Sequence, residues 1–311
     1  MAHGAADEHG SDGDDHGDQH RSDERSDESG WGDGDVLHGH MVPGGCDSDP
    51  GTGDAGVVFG SRRRRERAEL LAAGFPEQWR TLCAERFAWH PALTEEERRR
   101  WERRTHEMVL NTSWEAARGF DVTDEMALTI AAQAQLLVLG LPDGALAPVH
   151  AVVIHPSTIV MDGEHSQVDG VVSDDPTPIL GEAVEHGPLL FAWDEVVNDT
   201  EHPEHGRNVV MHECAHVLDG ADGVFDGTPL ITDPELAEAW VQACSEAYDS
   251  VVEGTDPGVI DPYGGVNPAE FLAVVTEAFF GEPHALRRAH PDLADVLGRY
   301  YRVDPRRWNQ A

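Results

Sequence analysis

His212-Glu-Cys-Ala-His216, set inside Asn208 to Asp219, places the narrowest condition on how this chain folds. Residues four apart on an α-helix stand one turn above each other on nearly one face, and the residue after the first histidine is rotated by about 100°. Val209, Val210 and Met211 before the motif, and Val217 and Leu218 after it, make a short apolar helix that Gly220 can end. Such a helix buries two imidazoles and a carboxylate, and a metal ion with a bound water satisfies all three polar groups together. Zinc takes neutral imidazole readily and keeps one position open for water, whose proton a neighbouring carboxylate such as Glu213 can take. Cys214, between the histidines, points away from them on the helix and reads as a small core residue.

The rest of the composition sets limits. In 311 residues there are 59 acidic and 22 basic side chains, every one of the latter arginine, for a net charge of −37. That charge argues against nucleic acid and anionic membrane as partners. It fits a protein adapted to a salty cytoplasm, where screening relieves the self-repulsion. Cys46, Cys83, Cys214 and Cys244 show no paired spacing, which excludes a disulfide framework. There is neither an 18-residue apolar run nor a basic-then-apolar leader, so a cytoplasmic protein is expected.

Residues 1–55 carry 15 acidic residues, six histidines and almost nothing apolar, and are expected to be disordered. Their histidines lack the spacing of a finger or a helical pair, so a solvating acidic tail is favoured over a metal store. Residues 56–311 form the folded domain. Helical patterns run from Arg62 to Ala73, from Phe75 to Phe87, from the Thr94-Glu-Glu-Glu97 capping box to Asn111, and from Thr123 to Leu139, giving a helical part over 56–145. The period then changes. Val149 to Ile154, Ile159 to Met161 and Gly187 to Trp193 read as strands, so the catalytic core over 146–311 sets a small sheet ahead of the histidine helix. An edge strand beside a metal can hold an extended peptide.

Three residues compete for the third ligand position. Glu270 follows Asn267-Pro268, a helix cap and first turn, and could equally complete a capping box. Glu277 lies two turns later on about the same face, and Asp222 is ten residues after His212. Asp219 shares the face of the two histidines and could orient an imidazole or simply end the helix.

His212-Glu-Cys-Ala-His-Val-Leu-Asp219, then Tyr263-Gly-Gly-Val-Asn-Pro-Ala-Glu270-Phe-Leu-Ala-Val-Val-Thr-Glu277-Ala-Phe-Phe280, resembles the MtfA (Mlc titration factor A) family of zinc-dependent peptidases. Gly181-Glu-Ala183, the segment Gly187 to Trp193 and the closing stretch Pro291 to Pro305 extend the resemblance over about residues 60–305. It implies an α+β, zincin-like (gluzincin) core with one Zn2+ per chain held by His212, His216 and Glu270. Glu213 would be the base, and Tyr263 would donate to the developing oxyanion. The substrate would be a peptide or protein, with aminopeptidase cleavage one form this could take, and a transcriptional repressor is a further implied partner, since family members have been linked to binding one. Two positions depart from the family pattern, Cys214 standing where an aromatic is usual and Val217 where a basic residue is usual.

Overall fold

A computed structural model describes residues 65–308, except 118, 158, 162–176, 180 and 184–186. The acidic segment 1–55 lies outside the described residues.

The described residues open with α1 (residues 65–73), α2 (Glu77–Arg86) and α3 (Glu95–Asn111). The expected capping box opens α3: the Thr94 hydroxyl accepts from the Glu97 N–H, and the Glu97 carboxylate accepts from the Thr94 N–H. Next comes a strand where only helices were expected, β1 (Ser113–Ala116). At four residues it is too short to show a period of its own. Its pairing is settled by a distant partner, since Ser113 N–H donates to His150 O and Ala117 N–H to Ile154 O, both at 2.9 Å.

α4 (Asp124–Leu137), capped by Thr123, is buried on every side from Ala127 to Leu137, as its alanine and leucine content requires. Trp101 of α3 donates its indole N–H to Ala132 O at 2.9 Å, and Arg104 donates to Val138 O and Leu141 O beyond the end of α4. These bonds fix the two helices side by side.

The main sheet joins β1, β2 (Ala151–His155), β6 (Leu189–Ala192) and β5 (Gly181–Ala183) in the order β1-β2-β6-β5. The first three strands run parallel and β5 is antiparallel at the edge, in the registers Ser113↔Ala151, Val152↔Leu189 and Ala183↔Leu189. Val152, Ile154, Leu189 and Phe191 point to one face and are buried. A two-stranded antiparallel ladder of β3 (Ile159–Met161) and β4 (Thr177–Ile179) stands apart from the main sheet. The strand expected over Gly187 to Trp193 is shorter, because Trp193 already begins α5 (Trp193–Glu201).

The histidine helix α6 (Val209–Asp219) packs against β5, α4 and the apolar α8 (Pro268–Gly281), whose residues Phe271 to Phe280 are all buried. Around them lie α7 (Pro234–Val252), α9 (Pro283–Ala289) and α10 (Pro291–Tyr301). Tyr301 is fully buried, stacks on Phe279 and pairs its hydroxyl with that of Thr276 at 2.8 Å, joining α10 to α8. The architecture is thus α+β, mostly helical with a small sheet. Among the described residues no helix is long and apolar enough to cross a membrane.

Candidate metal centre

Two helix starts build the site. At α6 the Asn208 side chain accepts from the Met211 N–H at 2.9 Å, and at α8 the Asn267 side chain accepts from the Glu270 N–H at 2.9 Å. Each cap fixes the first turn of its helix, and the crossing of the two helices brings His212, His216 and Glu270 together. Their ligand atoms all lie within 4.8 Å of one another. Glu270 Oε2 is 3.1 Å from His212 Nε2 and 3.7 Å from His216 Nε2. The three side chains are partly buried, with the imidazoles edge to face at 4.9 Å.

Glu277, weighed as a ligand, has a different place. One of its oxygens lies 2.7 Å from His212 Nδ1, the nitrogen turned away from Glu270, and the other accepts the Asn208 N–H at 2.6 Å. Asn208 in turn donates its side-chain N–H to Gln133 of α4 at 2.6 Å. Asp199 of α5, buried, accepts the Val209 N–H at 2.9 Å. The entry to α6 is therefore tied to α4, α5 and α8, and its backbone donors are satisfied by carboxylates, which also suit the positive end of a helix. The seven-residue step from Glu270 to Glu277 was the visible signal; nothing in it told which ring nitrogen Glu277 would meet.

Asp222 is exposed and accepts the Val224 N–H at 3.0 Å, away from the histidines. Asp219 is fully buried at the end of α6 and accepts the Gly227 N–H at 3.0 Å, which anchors the following loop. Gly227 has φ +77, and a Cβ there would meet Pro268 O at 2.2 Å, so the loop passes against the start of α8 at a point only glycine fits. Tyr263 sits in a 3-10 turn, Pro262–Gly265, capped by Asp261, with its ring 6.3 Å from that of His212. It is 51% exposed, yet its hydroxyl end feels burial and the carboxylates of Glu270 and Glu213, which push the phenol up to about 12. Cys214 is a free thiol in the core, as expected.

The charges divide sharply. For His212 burial favours the neutral ring, but the hydrogen bonds to Glu270 and Glu277 outweigh it and hold the imidazolium up to about 10. Glu270 shows the converse: burial is outweighed by the two histidines, and its carboxyl falls to about 2. Glu213 is 2% exposed, and burial, opposed by the histidines, pushes its carboxyl up to about 7. One of its oxygens, Oε2, is buried without a hydrogen-bond partner. A carboxylate oxygen left without a partner beside two imidazoles and a second carboxylate is costly unless something else shares the site. The donor set of two imidazoles and one carboxylate is one that divalent transition ions accept.

Comparison with known proteins defines the class first. Residues 61–302 match the family described as glucose-regulated metallo-peptidase M90. The chain belongs to this metallopeptidase family, that of Mlc titration factor A. An uncharacterized protein of Synechocystis is 32% identical over 241 residues, covering 76% of this chain and 88% of its own. Mlc titration factor A of Pectobacterium atrosepticum is 34% identical over 190 residues, covering 59% of this chain and 71% of its own. The protein of that name from Yersinia enterocolitica is 29% identical over 257 residues, covering 79% of this chain and 92% of its own.

Proposed function

We propose that the chain is a zinc-dependent metallopeptidase with a zincin-like (gluzincin) core in which His212, His216 and Glu270 hold one Zn2+. The observation that carries this reading is the buried, unpartnered Glu213 Oε2 beside three clustered donors. Zinc in such a site acidifies a water and polarises a carbonyl.

The other parts of the reaction fall to the chain. Glu277 accepts from Nδ1–H of His212, so that on binding the ion would take the place of the proton on Nε2, the nitrogen that faces Glu270 and His216. Glu213, with its carboxyl up to about 7, takes the proton of the attacking water and hands it to the leaving amine. Tyr263, whose phenol keeps its proton far above neutral pH, donates to the oxygen on which negative charge develops. The antiparallel edge strand β5 packs on α6 and supports extended binding of a peptide there. Residues 1–55 form an acidic tail on a peptidase domain of 56–311, and the whole is a cytoplasmic protein suited to high salt.

The test is hydrolysis of short chromogenic peptides in high salt by the zinc-loaded protein and by Glu213→Gln at matched zinc content. The expected result is a loss of roughly 10²–10⁴-fold in the variant. Full activity in Glu213→Gln with zinc retained would sink the assignment. Including free-amino and blocked peptides shows whether cleavage is of the aminopeptidase kind. A second reading rests on the relatives named Mlc titration factor A: a regulatory protein that sequesters a transcriptional repressor, with weak peptidase activity. Zinc bound by His212, His216 and Glu270 with no hydrolysis in either protein would favour it.

A further inference from the structure

The 3-10 turn Pro203–His205, between α5 and α6, carries a second group of metal-binding side chains that the peptidase reading does not use. His202, Glu204 and His205 are exposed, and their ligand atoms all lie within 4.8 Å of one another. His202 caps this turn and His205 is its last residue. Their imidazoles stack with centroids 5.2 Å apart and planes 22° apart, and His202 Nδ1 is 3.3 Å from Glu204 Oε1.

The turn is held from both ends. The His202 N–H donates to Asn198 O at 2.9 Å, His205 N–H to His202 O at 3.0 Å, and Gly206 N–H to Pro203 O at 3.2 Å. Gly206 has φ +69, and a Cβ on Gly281 would lie 2.9 Å from Gly206 Cα, so the turn is pressed against the end of α8 where neither residue can carry a side chain without strain. A backbone fixed in this way loses little entropy when its side chains close on an ion. Two neutral imidazoles and a carboxylate suit Zn2+, Ni2+ or Cu2+, whereas Ca2+ and Mg2+ call for oxygen ligands.

We propose that His202, Glu204 and His205 form a surface site for a divalent transition-metal ion, separate from the cluster of His212, His216 and Glu270. Its coordination is completed by solvent. Two residues beyond Gly206, Asn208 opens α6, and an ion on the turn therefore stiffens the segment that enters the histidine helix.

The test uses the full-length chain. Crystals soaked in zinc chloride are measured at the zinc absorption edge, and zinc stoichiometry in solution is obtained by competition with a chromophoric chelator for the wild type and for H202A/H205A. The acidic tail is present in both proteins, so its six histidines cancel in the difference. The expected result is an anomalous peak ligated by these three side chains and a stoichiometry lower by one per chain in the double variant. No peak on the turn, or a peak that needs ligands from a neighbouring molecule, would overturn the proposal, as would unchanged stoichiometry. Both substituted positions are exposed and outside the peptidase cluster, so hydrolysis by the variant reports on that cluster independently.

Discussion

Two groups of two histidines and a glutamate lie on either side of Asn208, and they differ in almost everything except their donor atoms. His212, His216 and Glu270 come from two helices that cross in the interior. His202, Glu204 and His205 come from one exposed turn. The inner group is backed by carboxylates on three sides: Glu277 on the far nitrogen of His212, Asp199 on the backbone of Val209, and Glu213 buried with an unpaired oxygen. The outer group is exposed on its turn. Donor type decides which ions can bind, while burial and close charged neighbours shift the charge states of His212, Glu213 and Glu270 in the inner group.

That contrast can be broken most directly by removing metal. A strong chelator is expected to abolish peptide hydrolysis, and added zinc to restore it, in the wild type and in H202A/H205A alike. Restoration that fails only in the double variant would mean the outer group takes part in activity. The next largest effect is expected from Tyr263→Phe, with kcat down by about 10²–10³-fold at unchanged metal content, the range for losing one donor to an oxyanion. A drop confined to KM would instead make the phenol a substrate contact.

Glu277→Gln sharpens the comparison at the level of support. Outer partners of metal-bound histidines are worth about 10–100-fold in metal affinity. The expected result is a loss in that range for the inner ion, read by competition titration. An affinity equal to wild type would show that the contact with His212 Nδ1 carries no weight.

The smallest effect concerns Asp219. Burial pushes its carboxyl up to about 6, so the fold favours the protonated acid. Its contribution to stability is full below the unfolded value of about 3.9 and is lost as pH rises through 6. Asp219→Asn carries no charge at any pH and keeps an acceptor for the Gly227 N–H. The difference in Tm, variant minus wild type, should therefore rise between pH 4 and pH 6. A difference independent of pH would remove burial as the cause.

Much of this site is legible in the linear sequence, and the parts that are not share a reason. The spacing of His212 and His216, the caps at Asn208 and Asn267, and the capping box at Thr94 depend on residues within four positions of each other, and local geometry decides them. Glu270 rises above Asp222 and Glu277 through the resemblance to a family, and the structure brings it beside both histidines while Asp222 stays at the surface. Glu277 meets His212 from 65 residues away and Gln133 reaches Asn208 from 75, distances at which no period or cap carries information. β1 belongs with these. Its four residues become a strand through pairing with β2, and a segment that otherwise reads as wholly helical thereby lends an edge to the sheet.

The separation between His212 and its carboxylates also bears on how the protein is made. Glu270 and Glu277 lie 58 and 65 residues further along the chain. A nascent polypeptide that has emerged only as far as α7 holds both histidines and the adjacent Glu213, but neither of these two acids. Completing the site waits on docking of α8, which closes that long loop and at the same stroke buries the eight apolar side chains between Phe271 and Phe280. Assembly of the reactive centre is thus coupled to consolidation of the interior, and on the proposed reading the capacity to cut peptide bonds is withheld from chains still emerging from the ribosome.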